Sequence, residues 1–514
     1  MGRPIVYLIG AGPGDPGLIT VKGLACIAEA DIIVYDYLAN SKFLAHARED
    51  AEVIYVGKKG FTQHVTQDEI NAVIVEKALE DGGKTVARLK GGDPFIFGRG
   101  GEEALALVEA GIRFEVVPGI SSGYAAPAYA GIPVTHRGIT TDMAFVTGHE
   151  DPTKDSSDIN WEGLATSVGT ICFFMGIKNL PTITSRLIQF GRPATTPVAL
   201  VRWGTTPRQE VLVGTLADIA EKAAAVNFKA PAITIVGEVV NLREQLAWFE
   251  TKPLFGKTIV VTRSRAQASV LTDALEDLGA EVLELPTIKV VDPEDWTPVD
   301  EAIRNLDLYD WLVLTSVNGV TRFFDRLEYA DKDARALAGL RVSAIGPATA
   351  AACIERGIRP DYVPDEYRAE GILEGLSERG VGQDSKVLLA RALEARDVLP
   401  DELRVRGARV DVVTVYRTEM GEGDPRVLER LRDGDVDAVT FTSSSTVTNF
   451  IKLAEGIDLA AVLQDALVAS IGPITSDTAR AAGLAVGVEA VEYTIPGLVT
   501  AVAKHFGVDI DEED

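Results

Sequence analysis

The sequence predicts an α/β protein of three or four lobes, and three observations carry that expectation. Apolar strand-like runs alternate with helical patterns from end to end, the signature of largely parallel sheets. At 514 residues the chain exceeds what a single core organises. The second half also repeats itself. Thr315-Ser316-Val317-Asn318 is followed, 31 positions after Thr315, by Gly346-Pro347; Thr442-Ser443-Ser444-Ser445 is followed, 30 positions after Thr442, by Gly472-Pro473. Each copy reads as a strand ending in hydroxyls, a helix, then a strand ending in Gly-Pro, which is a duplicated lobe and not a solenoid.

In chain order, the apolar run 5–9 reads as a buried strand, and Leu18, Val21, Leu24, Ala25 and Ala28 mark a helix. The connection, Gly10-Ala11-Gly12-Pro13-Gly14-Asp15-Pro16-Gly17, is not the dinucleotide fingerprint. Asp15 stands where the third glycine belongs, and Pro13 and Pro16 lack the N–H donors a pyrophosphate needs. Such a loop suits a small cofactor without a phosphate tail. A nucleotide-dependent oxidoreductase is disfavoured on the same grounds.

Further strand-end loops follow. The apolar run 32–35 ends at Asp36. Arg88-Leu89-Lys90-Gly91-Gly92-Asp93-Pro94-Phe95-Ile96-Phe97-Gly98-Arg99-Gly100-Gly101-Glu102-Glu103 joins a strand to a helix, and Val117-Pro118-Gly119-Ile120-Ser121-Ser122 carries two hydroxyls. Phe173-Phe174-Met175-Gly176 closes a very apolar strand, and 231–240 reads as the last strand of the first half. A single glycine loop is usually just a turn. Several at successive strand ends point to a binding site, because parallel sheets present ligands to the carboxyl ends of their strands. The clearest seam is Thr251-Lys252-Pro253-Leu254-Phe255-Gly256, after which 257–262 starts a fresh buried strand ending in Arg263-Ser264-Arg265.

Composition narrows the function. Forty-six per cent hydrophobic residues with a charged quarter describe a soluble globular chain, and no apolar run nears the ~18 residues of a membrane span. The first residues enter a strand at once, which leaves no room for a signal peptide. Cys26, Cys172 and Cys353 are scattered without metal-ligand spacing and suit reduced thiols in the cytoplasm; no metal is expected. A net charge of −26 argues against nucleic acid and anionic membranes as partners, and a polycarboxylate substrate would need a local basic pocket. The acidic end 509–514 reads as a solvated tail.

The residues of the first half resemble a known family. The 6–20 segment, Gly91-Gly92-Asp93-Pro94-Phe95 through Glu103, Pro118-Gly119-Ile120-Ser121-Ser122, Ala130-Gly131-Ile132-Pro133-Val134-Thr135-His136-Arg137, Phe145-Val146-Thr147-Gly148-His149 and Gly237-Glu238-Val239-Val240 closely resemble the uroporphyrinogen-III C-methyltransferases of the tetrapyrrole methylase superfamily. The resemblance implies two α/β lobes, about 1–118 and 119–250, with S-adenosylmethionine as co-substrate. It puts the cofactor pocket on Pro13, Gly91, Gly92, Asp93, Ile96, Ser121, Ser122, Met175 and Gly204. It also implies a proton acceptor at Asp36, a proton donor at Lys58, and a homodimer through this half. Arg88, Arg99, Lys59, Arg137 and Arg202 are candidate partners for substrate carboxylates, since Arg binds them bidentately. Two positions depart from the family pattern: Ser121 replaces a threonine, and Phe174 replaces a tyrosine, removing one phenol.

After the linker 251–256, residues 257–514 resemble uroporphyrinogen-III synthase. The residues that carry this are Val261-Thr262-Arg263-Ser264-Arg265, Thr315-Ser316-Val317-Asn318, Gly346-Pro347-Ala348-Thr349, Val415-Tyr416-Arg417-Thr418, Thr442-Ser443-Ser444 and Gly472-Pro473-Ile474-Thr475. The resemblance implies two lobes joined by crossing strands, one from 257–288 plus 418–514 and one from 289–417. It implies leaving-group assistance by Tyr416 and substrate binding by Arg263, Thr442, Ser443 and Thr475, with Arg265, Arg391 and Arg396 as further carboxylate partners. Ile474 replaces a commoner threonine. Together the halves imply a bifunctional enzyme that cyclises hydroxymethylbilane to uroporphyrinogen III and methylates it twice to precorrin-2, toward sirohaem or cobalamin. The alternatives are a methylase for a later precorrin, or an active methylase whose second half is an inactive ligand sensor.

Overall fold

The computed structural model describes residues 4–57, 65–149, 157–263, 265–365 and 369–508. Lys58 and Lys59, and the side chain of Arg265, lie outside the described residues. Two compact units divide the chain. The first runs to Thr258 and adds Leu275–Glu281 and Phe506–Val508; the second is chiefly Ile259–Ala274 and Val282–His505.

The first unit holds two five-stranded sheets. Strands β1 (Ile5–Gly10), β2 (Ile32–Tyr35), β3 (Glu52–Tyr55), β4 (Thr85–Lys90) and β5 (Arg113–Val117) form an all-parallel sheet in the order β3-β2-β4-β1-β5. The central strands are buried on both faces, which is why they read as unbroken apolar runs. Strands β6 (Met143–Thr147), β7 (Thr170–Phe174), β8 (Pro197–Arg202), β9 (Glu210–Thr215) and β10 (Ala232–Val236) form the second, in the order β6-β7-β10-β8-β9. Only β6 and β7 run parallel here, so the expectation of largely parallel sheets does not hold for this lobe. β8 and β9 are joined by the short loop 203–209, too short for the crossover a parallel pair requires. The chain also leaves β10 at Val236 and turns into a short 3-10 helix, Glu238–Leu242, where the sequence suggested a longer strand.

The second unit holds β11 (Thr258–Val261), β12 (Glu281–Glu284), β13 (Ile288–Val291), β14 (Trp311–Leu314), β15 (Arg341–Ala344), β16 (Lys386–Ala392), β17 (Arg409–Met420), β18 (Ala438–Phe441), β19 (Leu467–Ser470) and β20 (Val486–Glu489). They build two sheets, β12-β11-β18-β19-β20 and β13-β17-β16-β14-β15. The long β17 pairs in parallel with β16 and then antiparallel with β13, so the returning chain runs beside the outgoing one. All three cysteines are buried and unpaired. Burial pushes the thiol of Cys172 up to about 12 and that of Cys353 up to about 11, as expected of inert structural thiols.

Candidate functional site

Because β4, β1 and β5 are neighbours, their carboxyl-end loops meet. Gly12 and Gly92 form a backbone bridge, with Gly92 N–H donating to the Gly12 carbonyl at 2.7 Å. A Cβ on Gly10 would lie 2.5 Å from Gly119 N and 2.7 Å from Gly92 O, so all three loops touch through bare backbone. Asp93 fastens the same junction. Its Oδ2 accepts from Gly119 N–H at 3.0 Å and its Oδ1 from Phe95 N–H at 2.8 Å. Ser121 is buried and caps the helix Ser122–Tyr129 through Gly123 N–H, and a Cβ on Gly92 would lie 4.0 Å from Ser121 Cα and Ser122 N.

The second lobe adds its own loops. Phe174, which ends β7, lies 4.9 Å from the Phe97 ring and 5.5 Å from Phe145, so the position that lost a phenol is enclosed by aromatics. A Cβ on Gly204 would strike Ala126, and one on Gly14 would come within 2.6 Å of Thr206. Gly91 packs on Leu38, just beyond Asp36. Pro13, Gly91, Gly92, Asp93, Ile96, Ser121, Ser122, Met175 and Gly204 thus belong to one connected set of loops. The need for glycine at 91 and 204 is met by packing within the protein.

Backbone strain marks the same region. Among the described residues, the positive-φ positions that are neither Gly nor Asp/Asn are Phe97 (54°), Arg99 (59°), Met175 (56°), Trp203 (49°) and Thr205 (73°). All five lie in these loops. Bulky residues adopt this region only where their surroundings force them, and such positions gather at functional sites. Phe95, Phe97 and Met175 are moreover exposed. A shallow apolar hollow of about 430 Å³ lined by Val146, Ile159, Asn160, Gly163, Leu164 and Val168 contains none of the candidate residues.

Asp36 is joined to a buried charge cluster that the sequence reading missed. Its Oδ2 accepts from Arg88 Nη2 at 3.0 Å and its Oδ1 from Leu38 N–H at 3.1 Å. Arg88 Nε reaches Glu103 Oε1 at 3.2 Å, and Lys90 Nζ reaches the same oxygen at 2.7 Å. Arg88, Glu103 and Lys90 are only 2 %, 1 % and 4 % exposed, so Arg88 is a structural partner of Asp36 and offers no free guanidinium to a substrate. Burial first, then the Arg88 guanidinium, hold the Lys90 ammonium below the usual lysine range. Two cations two residues apart on a strand share one face, and a glutamate on the next helix supplies the counter-charge. That spacing was the available signal. Among the carboxylate candidates, Arg99 pairs with Glu102 and Arg202 with Glu210.

In the second unit the sequence repeat is reproduced in geometry. Ser316 (φ −167°, ψ 158°) caps the helix Val317–Tyr329, and Ser443 (φ −167°, ψ 161°) caps Ser444–Leu453. Gly346 and Gly472 precede Pro347 and Pro473 at the first turn of the two matching helices. The Tyr416 phenol lies 3.0 Å from Ser316 Oγ and is 8 % exposed. Burial raises its pKa, and the Ser316 hydrogen bond opposes that. Thr442 follows β18 directly and Ser443 Oγ meets Ser445 Oγ at 2.9 Å. Thr475 is buried in the first turn of Pro473–Ala481, while Ile474 beside it is exposed. Burial lowers the pKa of Arg263. Arg391 is committed to the Arg396 carbonyl and Asp397. Among the described residues no His, Cys, Asp and Glu group has metal-site geometry, and no helix is long and apolar enough to cross a membrane.

The first half, two α/β lobes with glycine-rich, strained loops, is a tetrapyrrole (corrin/porphyrin) methylase: that family's model matches residues 5–220. The model of uroporphyrinogen-III synthase HemD matches residues 269–500. A Ruminiclostridium josui protein described as porphyrin biosynthesis protein HemD is 40 % identical over 481 residues, covering 93 % of this chain and 94 % of its own length. An S-adenosyl-L-methionine-dependent uroporphyrinogen III methyltransferase of Methanosarcina barkeri is 54 % identical over 241 residues, 47 % of this chain and 94 % of that protein. The uroporphyrin-III C-methyl transferase of Thermus thermophilus, solved with S-adenyl homocysteine, is 38 % identical over 47 % of this chain and all of its own, with a TM-score of 0.40. The chain belongs to the family that joins a uroporphyrinogen-III C-methyltransferase to a uroporphyrinogen-III synthase, and is a bifunctional enzyme of tetrapyrrole biosynthesis.

Proposed function

We propose that residues 257–514 close hydroxymethylbilane to uroporphyrinogen III with inversion of the last ring and loss of water. Residues 1–250 then methylate that product twice to precorrin-2, using S-adenosylmethionine. The observation that carries the methylase reading is the junction of the β1, β4 and β5 loops with the strained loops of the second lobe. Gly92, at φ 70° and in ordinary contact with Ser121 and Ser122, brings the β4 loop against the helix start that would meet the ligand. Pro13, Gly91, Gly92, Asp93, Ile96, Ser121, Ser122, Met175 and Gly204 would hold the cofactor, with Met175 and Ile96 as apolar, polarizable walls. When bound, S-adenosylmethionine supplies an electrophilic methyl group.

Methylating a neutral pyrrole carbon with a sulfonium donor releases one proton per ring. Asp36, aimed by Arg88, is our acceptor for it, since each carboxylate oxygen keeps a lone pair beyond the bond it already accepts. Lys58 is our proton donor on the strength of resemblance alone. In the second half, Tyr416 donates to the departing hydroxyl of the linear substrate. Its raised pKa and its contact with Ser316 keep the phenol protonated and oriented. Arg263, Thr442, Ser443 and Thr475 bind the substrate, and the methylase half forms a homodimer.

The test is anaerobic incubation of the full chain with hydroxymethylbilane and S-adenosylmethionine, with products separated by isomer and by mass. Dimethylated product from the linear bilane supports both activities. Dimethylated product only from preformed uroporphyrinogen III makes the second half a ligand sensor, and no methylated product at all removes the methylase reading.

A further inference from the structure

We propose that Tyr129, anchored by Trp248, Phe249 and Glu250 at the end of the methylase half, is a positioning residue for the 10–17 loop and sets the affinity for the cofactor. The inference rests on reading that loop as part of the cofactor site. Pro13 and Pro16 have no N–H to donate, so the loop depends on pins from outside itself.

Those pins form a closed circuit. Asp15 Oδ1 accepts from Gly17 N–H at 2.7 Å, while Oδ2 accepts from the Tyr129 hydroxyl at 2.5 Å. Asp15 N–H donates to Thr205 Oγ1 at 3.1 Å, and Thr205 N–H donates to Gln209 Oε1 at 3.1 Å. Gln209 Nε2 then donates to the Tyr129 carbonyl at 3.3 Å and to Glu250 Oε1 at 3.0 Å, which closes the ring of contacts. The Tyr129 ring lies 5.0 Å from Trp248 and 4.8 Å from Phe249. Trp248 Nε1 donates to the Ala128 carbonyl at 3.1 Å, and Arg243 links the Ala130 carbonyl to Glu250. Burial, then the Asp15 carboxylate, push the Tyr129 phenol far above its usual range, so it stays a donor at any working pH.

None of these anchors belongs to the proposed cofactor set. Through Tyr129 they fix Asp15, the residue after Gly14; the Gly14 carbonyl also accepts from Asn40 Nδ2 at 2.9 Å, and Gly14 packs on Thr206 of the loop next to Gly204. Trp248 is 47 % exposed, so its removal leaves solvent and not a buried cavity.

The experiment uses the full chain with Tyr129→Phe, Glu250→Gln and Trp248→Ala. It measures the Kd of S-adenosylhomocysteine by titration calorimetry, the KM of each methylation substrate, and the melting temperature. Tyr129→Phe keeps the ring packing and is expected to weaken S-adenosylhomocysteine and raise the KM of S-adenosylmethionine about tenfold, the scale of one lost charge-assisted hydrogen bond. The KM of preformed uroporphyrinogen III stays within about twofold, and Glu250→Gln and Trp248→Ala shift the cofactor constants in the same direction. Unchanged cofactor affinity in Tyr129→Phe overturns the inference. So does a rise in both KM values that tracks a fall in melting temperature. Failure of the unsubstituted chain to bind S-adenosylhomocysteine removes the cofactor reading itself, and this inference with it.

Discussion

Gly10→Ala is the sharpest test of the loop junction. Gly10 does not occupy the left-handed region, so alanine is acceptable to its own backbone and the perturbation is purely steric. The added carbon would lie 2.5 Å from Gly119 N and 2.7 Å from Gly92 O. Unstrained contacts between such atoms need about 3.5 Å, so two neighbouring loops must open by roughly 1 Å. Overpacking of that kind costs about 1–3 kcal/mol of stability. A displacement of roughly 1 Å at the reacting centre costs about 100-fold in rate. The assay is anaerobic methylation of preformed uroporphyrinogen III, with hydroxymethylbilane cyclisation by the same protein as an internal control. Methylation is expected to fall about 100-fold, with cyclisation unchanged. Gly101, in the helix Gly100–Glu109, has nothing within 4 Å of its Cβ position, so Gly101→Ala is expected to be neutral or to stabilise by about 0.5–1 kcal/mol. Wild-type methylation by Gly10→Ala at an unshifted melting temperature would refute the claim that this junction is the methylase site.

Glu103→Gln removes the carboxylate that pairs with both Arg88 and Lys90 and leaves Asp36 to balance two buried cations; a broken buried network of this kind costs about 3–5 kcal/mol, and loss of methylation with a lowered first melting transition is the expected readout. Tyr416→Phe is expected to slow cyclisation by about 10²–10⁴-fold while methylation of preformed uroporphyrinogen III is retained; an unaffected cyclisation rate dismisses the phenol as the donor. The buried thiols give a pH signature. Burial lifts their pKa values above the ordinary 9.0 of a free thiol, to about 12 for Cys172 and about 11 for Cys353, so the folded state holds those protons longer than the unfolded one. Their stabilising contribution is complete below pH 9 and is lost as pH rises from there toward 11 and 12. Native protein at pH 8 should accordingly react with no thiol reagent, and all three cysteines should react on unfolding. Rapid labelling of Cys172 in the native chain would contradict its burial.

How much of this was legible in the sequence depended on whether the cause was local. The loops at 10–17, 91–101 and 118–122 announced themselves because close backbone approach demands glycine whatever lies opposite. The repeated Ser caps and Gly-Pro starts were equally plain, since each is a local solution to unsatisfied helix N–H groups. Strand direction in the second sheet was not legible. Pro197-Val198-Ala199-Leu200-Val201 is a continuous apolar run, and such a run serves a parallel or an antiparallel buried strand alike. The roles of Arg88 and Tyr129 were hidden for a different reason. Arg88 read as a candidate partner for substrate carboxylates until Glu103 and Asp36 were placed beside it, and the Tyr129 partner lies 114 positions away at Asp15.

The two units also spend backbone strain differently, and the difference follows their proposed chemistry. In the first unit, five described non-glycine residues outside the Asp/Asn class are held at positive φ in the loops of the proposed site, at about 1–2 kcal/mol each. In the second, the only described non-glycine residues at positive φ are Asp331 and Asp384, which tolerate that region through their short polar side chains. Methyl transfer between two bound partners requires in-line placement of the reacting atoms, so rigid, strained loops that fix one geometry return more rate than they cost in stability. Closing a flexible linear substrate on itself requires instead that its ends be gathered. Relaxed serine caps and Gly-Pro helix starts, presented twice in the same backbone geometry, can do that without storing strain. Met175→Gly is therefore expected to divide the two activities: methylation should slow, through the loosened loop together with the lost thioether wall, while cyclisation by the same protein is unchanged, although glycine fits the local backbone better than methionine does.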